Sequence, residues 1–505
     1  MTENENSRTG RTFLGVSVTI FFAKLLGFCR DIVFAKFFGT GGLADLFQAV
    51  FSFPNLLFSS IGTALSSVNI PDLTYFVNQR SREERNQYLA NLLVQVSLFA
   101  GIISLLGIVG APFIGRLIAQ DLGPDADRLA ITLTRIMMPT LLFVSLTFLT
   151  TGVLQVHSHF QLSAAISVPF NILIIGGLFW KGSDVVFVGY LTTIGWFLQF
   201  LIQVPILIKE KYSLQRFKLN LRDSFTLNLF RNMAPILIGN SLLQLSLIMD
   251  RNAAMRLSEG STAALSYGSN LFVTITSVFI VGMTTVVFPR LSQYCLEADY
   301  ASVRDLLAQI FKMLLFILVP YLLLVVCYRQ EIITLIYQRG AFDSRSTAMT
   351  SLAFLLYSFA VLGYLCQEVF NRVFYAMKNF RIPMTASLIC LTLKFVFDYF
   401  FYRQTGIVGL SLSTALALLL YGIIMTIMLS RTIGNFINRE LSWYLLRLLL
   451  PSAGLCGVVV VFQRLYPTSS VYGFLLPLLI SGVIYLVIAH FCGLSKVFFA
   501  REAKR

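Results

Sequence analysis

Apolar residues run through this chain in stretches of about 20 or more, the length a helix needs to cross a hydrocarbon core. They fall near 13–38, 44–67, 88–117, 128–155, 162–180, 184–208, 227–257, 262–288, 301–327, 346–376, 383–402, 406–430, 441–464 and 472–494. Short polar connections separate them. The pattern predicts an all-α polytopic membrane protein of about fourteen spans, because helices satisfy their own backbone hydrogen bonds in lipid.

The second half of the pattern repeats the first. Pro71-x-Leu73 recurs as Pro289-x-Leu291, Leu117-Ile118-x-Gln120 as Leu335-Ile336-x-Gln338, and Val188-Gly189 as Val408-Gly409. The offsets are 218, 218 and 220. Two six-span lobes are expected, at 1–217 and 218–436, followed by a pair of spans without a counterpart at 437–505. Duplicated membrane bundles are typical of secondary transporters, whose substrate path lies between halves that rock against each other. The longest basic connection, near 209–226, reads as an amphipathic linker on the cytoplasmic face. The last two spans are almost purely apolar and suggest a surface for lipid tails.

Composition agrees with this reading. Of 505 residues, 56% are hydrophobic and 12% charged, against about 25% charged in soluble domains. If the N-terminus is cytoplasmic, the connections holding Arg80, Arg82, Arg85, Lys209, Lys211, Arg216, Lys218 and Arg222 all lie inside. Lys and Arg then favour the cytoplasmic side by roughly two to one, which puts both termini there. The net charge of +15 is thus largely topological. It calls for no nucleic-acid partner and favours anionic membrane lipids. The first apolar run is too long for the h-region of a cleavable signal, so the first span is expected to stay in place. The seven cysteines are scattered without a CxxC pair and read as free packing residues.

Ionisable residues inside spans are costly and mark function. Lys24, Gly27 and Asp31 share one face of the first helix, with Arg30 beside it. A cationic pair, Lys24 and Arg30, at this depth suits a phosphate-bearing substrate. Asp45 opens the second helix after the Thr40-Gly41-Gly42 turn. In the other half Lys394 and Asp398 stand i, i+4 on one helix, with Asp250 and Arg251 on span seven and Thr414 on span twelve. This second group could bind a cation, relay a proton or lock as a salt bridge. Glu368 and Arg372, also i, i+4, form a gating or structural pair.

The sequence lacks a Walker loop, HExxH, a nucleophile elbow and a dinucleotide fingerprint. His157-x-His159 lies in a short inner loop with no third ligand expected nearby, so no metal site is expected. No cofactor is expected, and a transporter is favoured over an enzyme.

Three stretches resemble the MurJ (MviN) lipid II flippases of the multidrug/oligosaccharidyl-lipid/polysaccharide exporter superfamily. They are Leu26-Gly27-Phe28-Cys29-Arg30-Asp31 with Phe38-Gly39, Asp45 and Pro54-Asn55; Leu335 to Asp343, LIYQRGAFD; and Arg372 to Pro383, RVFYAMKNFRIP. The resemblance runs from about residue 10 to 495. It implies a fourteen-helix fold with a central cationic cavity that moves undecaprenyl-pyrophosphate-linked disaccharide-pentapeptide to the outer leaflet. It also implies a tail groove on the last two helices and contacts with cell-wall synthesis proteins. By position, Lys24 matches a family arginine, and Gly27, Arg30 and Asp45 match outright. With Asp31, Asn55 and Arg251 they form the expected substrate-binding set. Phe58, Asn270 and Val273 depart, standing where Gram-negative members carry arginine, arginine and glutamate. Positions matching a family sodium site are Asp250, Lys394, Asp398, Leu410 and Thr414. Lys394 replaces a neutral ligand there, so sodium is not expected to bind, and protons or membrane potential take its place.

Other readings stay open at this stage. A flippase for a capsule or exopolysaccharide unit is the nearest. A drug/cation antiporter should have an acidic or aromatic cavity, and a polyprenyl-phosphate transferase should show a metal-binding carboxylate cluster at a membrane face. A non-transporting scaffold would not explain the buried cations.

Overall fold

A computed structural model describes residues 3–119, 123–213, 220, 238–239, 242–465 and 473–494. Helices and turns account for the described chain, with no strand among them. It divides into two compact units, one of Met1–Ala263 with Arg339–Phe342 and one of Ala264–Gln338 with Asp343–Arg505.

The first unit holds α1 (Glu3–Phe38), α2 (Gly42–Gln79), α3 (Arg82–Val109), α4 (Ala111–Ile118), α5 (Pro124–Met137) and α6 (Thr140–Val156). These are followed by α7 (Phe160–Ala165), α8 (Val168–Lys181), α9 (Val185–Leu201), α10 (Val204–Lys209) and α11 (Leu242–Ala254). Helix α12 (Ser261–Leu296) begins in this unit and continues into the second. The second unit adds α13 (Tyr300–Tyr337), α14 (Ser344–Phe359), α15 (Val361–Ala376), α16 (Arg381–Thr405), α17 (Ile407–Ile433), α18 (Arg439–Leu465) and α19 (Leu475–Phe491).

Local chemistry explains several boundaries. Ser81 and Glu84 form a reciprocal capping box at the start of α3, satisfying two amides that the helix leaves free. Asp299 and Asp343 cap α13 and α14 by accepting the amides of Ser302 at 3.1 Å and Ser346 at 2.8 Å. The expected span 128–155 is α5 and α6 broken at Pro139, which cannot supply a helical amide. Likewise 162–180 covers α7 and α8, 184–208 covers α9 and α10, and 346–376 covers α14 and α15, bent by 44°. Most of the linker near 209–226 and the start of span seven lie outside the described residues. Nine described helical segments are long and apolar enough to cross a membrane, ten if the α14–α15 pair counts as one span.

Lipid removes the hydrophobic drive between helices, so close approach of backbones matters more. A Cβ on Gly363 would stand 2.2 Å from the Leu418 carbonyl oxygen, and one on Gly268 would stand 2.9 Å from the Phe354 amide nitrogen. Thus α15 meets α17, and α12 meets α14, backbone to backbone. Large apolar side chains such as Leu106, Phe113, Leu479 and Phe491 stay exposed, as a lipid-facing surface requires.

The duplication is also visible in hydrogen bonds. In the first unit the Arg85 guanidinium donates to the Glu210 carbonyl at 3.1 Å, and Arg82 donates to that of Lys211 at 3.2 Å. In the second, Arg304, 219 positions after Arg85, donates to the Ile433 carbonyl at 2.6 Å. Both arginines satisfy carbonyls left open where a helix ends. Further on, Asn91 and Gln95 of α3 hold the backbone of Asn220 at 2.7–3.2 Å, while Lys312 of α13 pairs with Glu440 at 2.7 Å. Each unit therefore straps its outgoing connector to the start of its third span.

Candidate functional site

The polar face of α1 meets α8. A Cβ on Gly27 would lie 3.6 Å from Nδ2 and 3.8 Å from Oδ1 of Asn171, so the amide packs against α1 at this glycine. One turn away, the Arg30 guanidinium lies over the Phe170 ring, 5.3 Å from its centroid. It also donates from Nη2 and Nε to Oδ1 of Asp31 at 2.7 and 3.1 Å. Phe170 is buried, tilts against Trp196 at 5.6 Å and seats against Gly195, where a Cβ would reach its ring at 2.5 Å. Arg30 is thereby fixed from one side by an aromatic face and from the other by a carboxylate. Lys24 remains exposed. The structure thus gathers Lys24, Gly27, Arg30 and Asp31 with Phe170 and Asn171, two residues the charge pattern did not single out. A lone asparagine in the apolar run 162–180 is the signal that could have pointed to it.

Asp45 is placed differently. Its two carboxylate oxygens accept the amides of Gly260 and Ala263, each at 2.7 Å, so it caps the start of α12. Glu259 returns the contact by accepting the Gly42 amide at the start of α2, at 2.8 Å. Arg251 is buried on α11 beside Asp250, and its carbonyl accepts the Thr262 hydroxyl at 3.0 Å. Asn55 lies on α2, but its side chain falls outside the described residues.

In the second unit Lys394 is fully buried and hydrogen-bonded to Asp398. Thr414 is buried on α17. Glu368 and Arg372 pair at 3.7 Å, and Arg372 also faces the Phe288 ring at 5.6 Å.

At the end of α6, the two loop histidines do find a third group, Glu210, 51 residues after His159. Glu210 contacts His159 Nε2 at 2.9 Å and His157 Nδ1 at 3.4 Å, while His157 Nε2 shares a hydrogen bond with the Tyr212 hydroxyl at 2.9 Å. Arg85 stacks on Tyr212 at 4.1 Å. Burial lowers the His157 pKa below its ordinary value, and the hydrogen bond from His159 lowers that of Glu210. The Tyr212 phenol is pushed up to about 12 by burial. Among the described residues, no group of three or more His, Cys, Asp or Glu could hold a metal ion.

A family profile described as lipid II flippase MurJ matches residues 34–481. The chain is 28% identical over 415 residues to a lipid II flippase MurJ of Burkholderia cenocepacia, covering 80% of each protein. It is 25% identical over 459 residues to a probable lipid II flippase MurJ of Vibrio cholerae, covering 88% of this chain and 87% of that one. Among solved structures, it is similar to a lipid II flippase MurJ in an inward closed conformation, with a TM-score of 0.78 and 25% identity over 94% of this chain and 98% of that one. An inward-facing multidrug resistance MATE transporter shares the fold at a TM-score of 0.65 and 14% identity, covering 83% of this chain and 98% of that one.

Proposed function

Since the chain belongs to the lipid II flippase MurJ family, we infer that Lys24, Gly27 and Arg30 on α1 bind the pyrophosphate end of its cargo. The protein is a transporter of the membrane, not an enzyme, and its cargo is lipid II. The task matches the residues. A flippase shields a pyrophosphate and sugars from hydrocarbon and switches between states of similar energy, with no bond made or broken.

The observation that carries the site is the fixed guanidinium of Arg30, stacked on Phe170 and bonded to Asp31. Arginine held in this way offers a planar set of donors to phosphate oxygens without ordering cost at binding. Lys24, six residues earlier on the same helix, adds a second, exposed positive charge. Asp31 tempers the positive field, so the cargo is released as well as bound. Asp45 serves through the α2 and α12 termini that it aligns, and Asn55 on α2 and Arg251 on α11 complete the substrate-binding set. Asp250, Lys394, Asp398 and Thr414 form the coupling element, and Glu368 with Arg372 a gating pair. The two six-span lobes, 1–217 and 218–436, rock past each other, and 437–505 offers a surface to the lipid tail. Both termini are cytoplasmic, following the Lys and Arg bias. Cell-wall synthesis proteins are partners through the shared cargo.

The test is complementation of a bacterium conditionally depleted of its lipid II flippase, using wild type, Lys24→Ala and Arg30→Ala with membrane expression verified. Rescue by wild type alone, with lipid II accessible at the outer leaflet only in that strain, supports the reading. Rescue by both variants places the site elsewhere.

A further inference from the structure

Asn171 is 2% exposed, and its Oδ1 has no hydrogen-bond partner among the described residues. A buried amide left unpaired is costly, and native interiors contain few of them. This one sits in a helix, VPFNILIIGGLFWK, that is otherwise apolar up to its terminal Lys181, where leucine would pack at no such cost. It also sits against Gly27, on the side of α1 that carries Lys24 and Asp31, and beside the Phe170 that aligns Arg30. The unsatisfied group and the cationic groups thus share one place.

Resting on the reading of α1 given above, we propose that Asn171 is a further specificity residue, which hydrogen-bonds the neutral sugar groups adjoining the cargo pyrophosphate. The chemistry divides cleanly. Lys24 and Arg30 recognise charge and take any polyprenyl pyrophosphate. A carboxamide offers an NH2 group that donates and a carbonyl oxygen that accepts, matching the hydroxyl or acetamido groups of the first sugar, which the cations do not read. Gly27 leaves the amide bordered by backbone alone on the α1 side, since a Cβ there would already touch both of its polar atoms at 3.6 and 3.8 Å. Discrimination by a buried polar group follows from the cost of leaving it unpaired with the wrong ligand.

The experiment titrates purified full-length protein in detergent with lipid II and, separately, with undecaprenyl pyrophosphate, using wild type, Asn171→Leu, Asn171→Asp and Lys24→Ala. Thermal midpoints are recorded for each. Asn171→Leu is expected to weaken lipid II binding about tenfold, the worth of one good hydrogen bond. It should leave undecaprenyl pyrophosphate binding unchanged and hold or raise the midpoint, since an unpaired buried polar group is removed. Asn171→Asp keeps an acceptor but sets a carboxylate beside the pyrophosphate, so it should weaken both ligands. In Asn171→Leu, unchanged lipid II binding, equal loss for both ligands, or a lowered midpoint accompanying the loss would each overturn the proposal. The Lys24→Ala arm tests the underlying reading by itself, because it should weaken both ligands. If it weakens neither, the α1 site falls, whatever Asn171 does.

Discussion

The Asp45 carboxylate accepts the Gly260 amide at 2.7 Å across 215 residues of sequence, and its other oxygen takes the Ala263 amide at the same distance. Glu259, the neighbour of Gly260, caps α2 in return through Gly42. Two helix N-termini are thus capped crosswise, each by an acidic residue at the start of the other helix. Anions are favoured at both positions by the open amides and the partial positive charge of a helix start.

Asp45→Ala should therefore leave the Gly260 and Ala263 amides unpaired in a buried place. The expected destabilisation is about 1–3 kcal/mol for each unsatisfied group. Asp45→Asn, which retains one acceptor oxygen, should fall between wild type and alanine in thermal denaturation in detergent. Equal midpoints for all three would show that the carboxylate caps nothing.

The segment Arg339–Phe342 packs on the end of α1, where the Ala341 amide donates to the Lys36 carbonyl at 2.9 Å. Gly340 has φ +61 and Gly39 φ +53, and a Cβ on either would come within 2.4 Å of a backbone oxygen, that of Lys36 or Ala341. Left-handed backbone favours glycine, and here the space forbids any side chain as well. Gly340→Ala should lower the yield of folded protein and its thermal midpoint. Phe342→Leu, which changes only volume, should cost less in the same assay.

The repeated arginine strap predicts local and separate effects. Arg85→Met should speed hydrogen exchange around 209–213, and Arg304→Met around 433–438, each leaving the other connector unchanged. Fast exchange at both connectors in either single variant would mean that the straps do not act independently.

Acid should loosen the first strap. The folded pKa of His157 is depressed by burial, and that of Glu210 by its hydrogen bond from His159. For both groups the unfolded or released chain holds more protons at low pH, so their contribution is complete above their ordinary values and fades as pH falls. His157 faces Glu210, His159, Arg85 and Tyr212. Exchange at 209–213, corrected for its intrinsic pH dependence, should rise below the ordinary histidine value of 6.5, and His157→Gln should flatten the upper part of that rise.

Lys394 occupies the second cluster with a fixed charge bonded to Asp398. Transport by the reconstituted protein should therefore proceed unchanged when sodium is replaced by choline. Saturable sodium dependence that disappears in Asp398→Ala would refute this. Asp398→Ala itself should lose most transport, because it strands a buried ammonium whose desolvation is no longer compensated.

Hydropathy along the chain determined the all-helical, membrane-spanning class, the duplication and the polar face of α1. Those depend on local spacing, since a bilayer imposes length on each helix separately and a 3.6-residue period fixes which side chains share a side. The same local logic placed Lys394 beside Asp398 and Glu368 beside Arg372. Position in space was a different matter. Asp45 read as a substrate carboxylate, yet its oxygens are taken by amides 215 and 218 residues away. His157 and His159 read as a pair without a third partner, yet Glu210 arrives 51 residues after His159. Asn171 and Phe170 were hidden in an apolar span until helix packing set them against Gly27 and Arg30. Only the tertiary structure decides such contacts, because a hydrogen bond depends on where two backbones come together, and sequence spacing carries that information no further than a turn of helix.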